Sequence, residues 1–351
     1  RFGIHPSLEF AHQLYQSGEL SFVANTGLLS GLCDDTNWED ITTFQTGAHN
    51  LQTIDTFRMD VKKNHPGKGV MGRLLDALKN EGFNAHGVSI GSAGRTTLAS
   101  YDSPTLIMPK TGQFETWNPI EWVDRKDEVL DSLTNTTALG SSRFSDLWGS
   151  GLKAGIEENE FLKKTIGEVD LRNTYSPPFA LIERMIDTVE ERGVQREVYF
   201  HEILGFDHHF DMVNSMVNGL GEVDTILENF VQGLKTRGKW DDVTLVIFSD
   251  FGRALAMNGG NGTDHGWGNN LFFTGGAVKG GQILGNYPDD LTNANPHIMN
   301  GRVIPTTPLD SMWNSIARWM GVTTEEGLDL VAPNRKSFPD DFLWDENVMF
   351  V

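Results

Sequence analysis

Helix and strand patterns alternate four times along the 351 residues of this chain. The clearest pair is the helical pattern VDTILENFVQGLKTRG at 223–238, which is followed by the apolar run VTLVIFSD at 243–250. Short apolar strands that alternate with helices of about 12 residues are typical of a parallel sheet with helices on both faces. The sequence therefore predicts an α/β fold. The other three pairs are 6–16 with 20–25, 69–82 with 85–91, and 178–193 with 196–204.

The alternation weakens between residues 100 and 175, where Thr, Asn, Gly and Trp interrupt the clear periods. We interpret this stretch as an inserted subdomain or a set of long loops in a single domain that spans 1–351. Residues 306–321 have the spacing of an amphipathic helix. The stretch after them is rich in Pro, Asp and Phe, and we expect it to be irregular.

The charge of the chain argues against some classes of partner. Lys and Arg total 28 against 48 Asp and Glu, so the formal net charge is -20. A surface of this sign repels nucleic acids and anionic membranes, so no nucleic-acid partner is expected. No apolar run reaches the roughly 18 to 20 residues that a membrane span needs, and Cys33, the only cysteine, excludes an intrachain disulfide. The sequence begins at Arg1 without a visible leader, so it does not report its compartment directly.

Polar residues follow two of the strand patterns. GFDHHFD at 205–211 comes after one strand and SDFGR at 249–253 after another, and Thr-Asp-His-Gly at 263–266 follows a glycine-rich loop. Because ligands of open α/β sheets bind outside the carboxyl ends of the strands, these residues are candidates for one site. Carboxylates and imidazoles together suit zinc, manganese or iron. We predict that four side chains bind one divalent cation, namely Asp207, His209, Asp250 and His265.

Two features of this pattern stay open. Asp207 and His209 lie on one side of an extended segment, whereas Asp207 and Asp211 form the alternative pair if the chain is helical there. Arg253 either binds an anionic group through its planar guanidinium or pairs with a neighbouring acid. The glycines at 259–262 lack the GxxxxGK[ST] and GxGxxG patterns, so no nucleotide site is predicted.

Several long segments occur together in the chain, and they carry a family resemblance. They are RFGIHPSLEFAHQLYQSGELSFVANTG, GVMGRLLDAL, GFDHH, VIFSDFGRALAMNGGNGTDHGWGNNLFFTGGAVKGGQILGNYP and RVIPTTPLDSMWNSIARWMGV. In this order they resemble the DUF1501 family, which is related to the alkaline phosphatase and sulfatase superfamily. The resemblance implies an alkaline-phosphatase-like, three-layer α/β/α sandwich with a mostly parallel sheet. It also implies a protein that is secreted, periplasmic or held at the cell surface.

The resemblance assigns roles to individual residues. Asp250 resembles the Asp of the superfamily's Ser-Asp-His-Gly motif, with Phe251 where the His ligand would be. Asp207 and His209 resemble the family's FDTH segment. The last match is between His265 and a late histidine ligand of the superfamily, which implies that Asp264 orients the imidazole.

Two departures from the family pattern concern the nucleophile and the first strand. Family members tend to have Phe-Ser-His where this chain has Gly-Ala-His at 47–49, so Ala48 replaces the expected hydroxyl, with Thr46 or Thr43 as substitutes. Family members also carry an earlier strand that ends in Gly-Gly-Asn-Asp or Gly-Gly-Ala-Asp, and this sequence begins after it, so we expect the sheet either to lack its first strand or to recruit it from a separate piece. We assign catalytic roles to His49 and Arg253.

Two functions are compatible with these residues. The first is an exported metal-dependent hydrolase of phosphate or sulfate esters, or a degenerate form of one. Its cofactor would be zinc, manganese or calcium, and its substrate an anionic small-molecule or polysaccharide ester, with Arg253 holding the anion. The second is a non-catalytic extracellular protein that keeps the fold and assembles with copies of itself or with other surface proteins.

Overall fold

The structure is a computed structural model that describes residues 2–42, 45–91, 93–103, 105–108, 128, 131–132, 142–167 and 175–351. Its contacts divide the chain into two compact units, Arg1–Ile107 with Val194–Val351, and Met108–Gly193. A single domain with an insertion at about 100–175 stays a prediction. No helix in the described ranges combines the length and the apolar composition that a membrane span requires.

The helices of the described residues follow the predicted order. They are α1 (Glu9–Ser17), α2 (Trp38–Ile41), α3 (Gln52–Arg58), α4 (Val70–Asn80), α5 (Arg143–Ile166), α6 (Pro177–Asp187), α7 (Met212–Thr236), α8 (Leu309–Met320), α9 (Glu325–Val331) and α10 (Glu346–Met349). Short 3₁₀ turns lie at Ala93–Arg95, Trp240–Asp242, Arg335–Ser337 and Asp340–Phe342.

The strands are mostly short. They are β1 (Leu20–Gly27), β2 (Ala85–Ile90), β3 (Thr105–Met108), β4 (Arg196–His201), β5 (Thr244–Ile247), β6 (Arg253–Met257), β7 (Thr263–His265), β8 (Asn269–Gly275), β9 (Ile283–Leu284), β10 (Ile298–Met299), β11 (Arg302–Val303) and β12 (Thr307–Pro308).

The predicted helices are present, with three differences, the first being that α6 ends at Asp187, six residues before the predicted end at 193. The helix α7 begins at Met212, eleven residues before the predicted start at 223, because Asp211 at φ 41° turns the chain directly from the preceding loop into the helix. The stretch after residue 321 is not wholly irregular, since it contains α9, α10 and two 3₁₀ turns. The side chain of Thr324 caps the first of these helices by accepting a hydrogen bond from the backbone N–H of Gly327.

The main sheet is mixed, so the prediction of a mostly parallel sheet is wrong. Its order is β12-β1-β8-β5, and β9 also pairs with β1. The strands β9 and β12 run parallel to β1, whereas β8 runs antiparallel to both of its neighbours, β1 and β5. The buried run LFFTG of β8 therefore lies between two strands that both run opposite to it. A second sheet has the order β3-β2-β4, with β2 parallel to β4.

Helices cover both faces of the main sheet. On one face of the sheet, Phe22 of β1 contacts both Tyr15 of α1 and Phe272 of β8. The ring centroids are 5.7 Å apart in each pair. Side chains alternate along a strand, so the neighbouring Val23 and Phe273 face the other way. These two residues are buried in the core cluster that contains residues of α4 and α8. The α/β class is therefore confirmed, with helices packed on each side of a mixed sheet.

The candidate residues lie where strands end and loops begin. The segment with Asp207 and His209 connects β4 to α7, and Asp250 follows β5. The strands β6 and β7 form an antiparallel hairpin in which Arg253 pairs with His265. Four separate chain segments thus reach one place, the fourth being the loop with His49 before α3.

Candidate functional site

Three imidazole rings point a ring nitrogen at the same carboxylate oxygen. The Nε2 atoms of His265, His209 and His49 lie 3.0, 3.1 and 3.5 Å from Oδ1 of Asp207. Among the described residues, the side chains of His49, Asp207 and His265 form a group whose ligand atoms all lie within 4.8 Å of one another. Three of the four predicted ligands, Asp207, His209 and His265, therefore lie together, and their role in binding a cation stays a prediction.

The second ring nitrogen of His265 fixes its tautomer. Nδ1 of His265 lies 2.7 Å from the carbonyl oxygen of Gly47. A carbonyl oxygen only accepts, so Nδ1 carries a proton, and Nε2 has a lone pair whenever the ring is neutral. Nε2 faces the Asp207 carboxylate and also Nε2 of His209, which is 2.9 Å away. An outer backbone acceptor of this kind is the usual way in which proteins orient a metal-binding histidine.

His49 is held by a carboxylate and a hydroxyl. Its Nδ1 donates to Oδ2 of Asp250 over 2.7 Å, and Thr53 at the start of α3 donates its hydroxyl to the same oxygen over 2.5 Å. The other oxygen of Asp250 accepts from the backbone N–H of Phe251 at 3.0 Å and from the Ser249 hydroxyl at 3.1 Å. Both oxygens of Asp250 are therefore engaged, and the carboxylate fixes the orientation of His49.

Asp207 is the charged centre of the cluster. Partial burial opposes ionisation of its carboxyl, but hydrogen bonds from Arg253 and His265 and the positive charges of His209 and Arg253 hold the pKa of Asp207 far below its usual range. Nη1 of Arg253 donates to Oδ1 of Asp207, while Nε donates to the Thr263 hydroxyl and Nη2 to the Thr263 carbonyl. Of the two roles left open for Arg253, the structure shows the pairing with an acid.

Phe251 does not fill the space between the imidazole nitrogens. Its ring is buried, and its centroid lies 4.6 Å from that of His49 and 5.1 Å from that of His265. The ring thus packs beside the two imidazoles and limits their rotation. At the position where the superfamily resemblance expects a further histidine ligand, this chain has Phe251, which packs against the two histidine rings.

The structure brings all six predicted site residues together, but Asp250 does not contact Asp207 directly. Asp207, His209 and His265 are in direct contact, whereas Asp250 contacts the cluster through His49. Whether Asp250 itself binds a cation stays a prediction. The carboxylate of Asp211, the alternative partner of Asp207, accepts instead from Nδ2 of Asn214 at 2.9 and 3.2 Å.

The groups that orient the imidazole rings were only partly predicted from the sequence. The carboxylate of Asp264 lies 3.6 Å from Nδ1 of His209. It is therefore beside His209, whereas the resemblance implied that it orients His265. The sequence analysis missed Thr53 and the Gly47 carbonyl, because neither residue type is distinctive in a loop. A hydroxyl in the first turn of a helix, four residues after the candidate His49, was the available signal for Thr53. Thr43, one of the two substitute hydroxyls, lies outside the described residues.

A family model supports part of the resemblance. The family described as "Protein of unknown function (DUF1501)" matches residues 180–312. This stretch contains Asp207, His209, Asp250, Arg253 and His265, but not His49. The resemblance to DUF1501 is confirmed over this range. No curated protein matches the chain.

The solved structures to which this chain is similar include three proteins. The lipoteichoic acid synthase LtaP from Listeria monocytogenes has 10% identity and a TM-score of 0.41, covering 91% of this chain and 67% of its own. Ps i-CgsB in complex with k-i-k-neocarrahexaose has 13% identity and a TM-score of 0.31, covering 90% and 67%. The PsFucS1 sulfatase from Pseudoalteromonas sp. has 11% identity and a TM-score of 0.34, covering 97% and 74%. Similarities this low transfer no activity or residue role to this chain.

Proposed function

We propose that this protein is a metal-dependent hydrolase of phosphate or sulfate esters, with an alkaline-phosphatase-like arrangement of its sheet and helices. In this proposal Asp207, His209 and His265 hold one divalent cation, zinc, manganese or calcium. His49 and Asp250 form an acid–base pair beside it, and the N–H groups of Arg253 that do not bond to Asp207 or Thr263 hold the anionic oxygens of the ester. Export to the cell surface, the periplasm or the medium belongs to the same proposal.

One observation carries the proposal. Oδ1 of Asp207 has three imidazole nitrogens and one guanidinium nitrogen around it, although a carboxylate oxygen offers about two lone pairs. Nε2 of His265 faces this oxygen at 3.0 Å while Nδ1 donates to Gly47, and the contact is favourable either when Nε2 also carries a proton or when a cation lies between the two atoms. Nitrogen and oxygen atoms about 3 Å apart match the spacing of neighbouring ligands when each bond to the cation is about 2.0 to 2.2 Å.

The donor set fits a catalytic cation better than a purely structural one. Three protein ligands of mixed imidazole and carboxylate type are the usual set of a catalytic zinc site, which keeps a further position for water or substrate. When bound, the cation would polarise the ester and lower the pKa of a water molecule. Asp207, His209 and Arg253 are partly exposed to solvent, so an ester has access to this position.

His49 has the setting of a general base. Asp250 accepts the proton of Nδ1, which leaves the lone pair of Nε2 free to accept a proton from an attacking water molecule. The water oxygen bonds to phosphorus or sulfur as the ester oxygen leaves, and His49 returns the proton to that leaving oxygen. Water attack needs no side-chain hydroxyl nucleophile, so the replacement of the family's serine by Ala48 is compatible with turnover.

The second candidate function is a non-catalytic surface protein that assembles with copies of itself or with other proteins. The observation that favours it is the ion pair between Arg253 and Asp207, in which the guanidinium neutralises the carboxylate without a metal ion. Under this reading the cluster stabilises the junction of four segments, and no ester is bound.

Metal content and turnover separate the two functions. We expect the purified protein to retain about one equivalent of zinc, manganese or calcium by elemental analysis, and to hydrolyse p-nitrophenyl phosphate or p-nitrophenyl sulfate. Asp207→Asn should weaken metal binding by at least roughly a hundredfold, the upper end of the effect of losing an outer-shell partner. Asp211→Asn is the matched control, because its carboxylate contacts Asn214 and not the cluster.

The outcomes are distinct. Metal binding and turnover that Asp207→Asn removes and Asp211→Asn keeps, with both variants folded by circular dichroism, support the hydrolase. Bound metal without turnover of either ester supports the assembly protein. No bound metal and no turnover in the unmutated protein overturns the proposal.

A further inference from the structure

A group of strongly exposed apolar side chains lies beside the candidate site. Among the described residues, six large apolar side chains are more than 60% exposed. Two of them, Phe2 and Val351, are the second and last residues of the sequence. The other four, which we call the apolar rim, are Leu204 (70%), Phe210 (74%), Val213 (64%) and Met257 (62%).

The apolar rim belongs to the two segments that carry the site. Phe210 directly follows His209, forms a β-bridge with Asn261, and lies with its ring against Gly260 of the β6–β7 loop. Val213 is in the first turn of α7, three residues further on. Leu204 precedes Asp207 by three residues.

Hydrogen bonds join these two segments. The carbonyl of His208 accepts from the N–H of Thr263 at 3.1 Å, and the carbonyl of Asn261 accepts from the N–H of Met212 at 3.0 Å. Met257 pairs with Thr263 in the hairpin. The hydroxyl of that same threonine accepts from Nε of Arg253. Backbone contacts thus join the segment of Phe210 and Val213 to the hairpin of Met257, and both segments also carry residues of the cluster.

Exposed apolar groups at such a place have a cost, because each leaves apolar surface in contact with water. The charge of the chain indicates what covers them. A polysaccharide with many sulfate groups would be repelled by a protein of net charge -20, whereas a molecule with one anionic group meets Arg253 and avoids most of that repulsion. An apolar remainder of the same molecule would lie on the rim.

We infer that the ester bound at this site joins one phosphate or sulfate group to an apolar alkyl or aryl alcohol, and that the apolar rim binds the alcohol. This inference rests on the proposed function and narrows its substrate class. Each methylene that the rim buries strengthens binding by up to about fourfold, from about 0.8 kcal/mol per buried methylene.

Alkylphosphonates test the inference without turnover, because their carbon–phosphorus bond is not an ester. We expect the metal-loaded protein to bind hexylphosphonate at least about ten times more tightly than methylphosphonate by isothermal titration calorimetry. Phe210→Ser should reduce this ratio to below about threefold, and Val213→Ser should reduce it as well. Val213→Ser is the second variant because the Phe210 ring packs against Gly260, so that Phe210→Ser also removes a contact with the loop. The control is Leu291→Ser, an exposed apolar side chain in the loop after β9, which should keep the ratio.

The inference and the proposed function fail in different ways. Equal affinity for the two phosphonates, together with turnover of p-nitrophenyl phosphate or sulfate, overturns the inference and leaves the hydrolase standing. A chain-length preference that depends on Phe210, without metal or turnover, keeps the apolar rim as a binding site and overturns the hydrolase. A dimer that Phe210→Ser and Val213→Ser convert to monomer, with no chain-length preference, assigns the rim to contacts between copies and overturns the inference.

Discussion

At the scale of single residues, the site is defined by what holds the far side of each imidazole. The Gly47 carbonyl holds His265, and Asp250 holds His49, so each ring presents Nε2 towards Asp207. These partners decide which nitrogen has the lone pair, and therefore whether a ring binds a cation or exchanges a proton. Thr53 extends this control by one further hydrogen bond, since its hydroxyl donates to Asp250.

Thr53 provides a test of the acid–base role of His49. Thr53→Val keeps the shape of the side chain but removes the hydrogen bond to Asp250, so His49 loses part of its orientation. We expect kcat for p-nitrophenyl phosphate to fall about tenfold, because one lost orienting hydrogen bond removes only part of the roughly hundredfold or more that a general base contributes, with metal affinity unchanged. Thr53→Ser keeps the hydroxyl and should retain most of kcat. A loss of metal affinity in Thr53→Val, measured by calorimetry, would show instead that His49 is a ligand.

At the scale of elements, the β6–β7 hairpin determines where His209 lies. Its loop packs directly against the backbone of the segment between β4 and α7. Gly262 has no room for a side chain, because an added Cβ would meet the backbone atoms of His208 and His209 closer than any normal contact. A glycine is required there to let two backbones approach, since its backbone angle is not in the left-handed region.

Gly262→Ala should therefore displace His209. We expect a loss of stability of about 1 to 3 kcal/mol, as for other overpacked sites, and a weaker metal affinity. Gly259→Ala in the same loop is the matched control, because an added Cβ there meets no atom within 4 Å. Urea unfolding and metal titration of the two variants measure both effects. Equal behaviour of the two variants would mean that the loop does not position His209.

At the scale of the whole molecule, an acidic protein depends on carboxylates that are better placed in the folded chain than in the unfolded one. Glu81, just after α4, accepts hydrogen bonds from the backbone N–H and hydroxyl groups of Thr323 and Thr324, each at 2.9 Å. The backbone N–H groups of Thr324 and Thr323 and their hydroxyls lower the pKa of Glu81 to about 2. This carboxylate connects α4 to the start of α9, far along the chain.

The lowered pKa predicts how stability depends on pH. Because the folded pKa of about 2 lies below the ordinary value of 4.5, ionised Glu81 stabilises the fold fully above about pH 4.5. That contribution is lost as the pH falls through the interval down to about 2. Glu81→Gln should thus lower Tm at pH 7, and its difference from the unmutated protein should shrink as the pH falls from 4.5. Thermal unfolding by circular dichroism at pH 7, 5, 4 and 3 measures this. A difference that stays constant with pH would contradict the prediction.

The sequence by itself determined the α/β class, the order of most helices and strands, and the residue types of the site. These follow from local physics, since the helical spacing in α4 and α8 and the apolar runs of β1 and β5 are readable within a few residues. Polar residues directly after strands likewise marked Asp207 and Asp250. The start of α7 was misplaced because Gly219 and Gly221, which have low helix propensity, lie between its first turns and the predicted start at 223.

Only the tertiary structure decided the direction of β8 and which residues of the site contact each other. An apolar run reads the same in either direction, so the sequence had no signal that LFFTG runs antiparallel between β1 and β5. The partners of Asp250 and Arg253 were equally hidden, because His49 lies 201 residues before Asp250 and Asp207 lies 46 before Arg253. Contacts over such separations depend on where whole elements pack, and no local pattern contains that information.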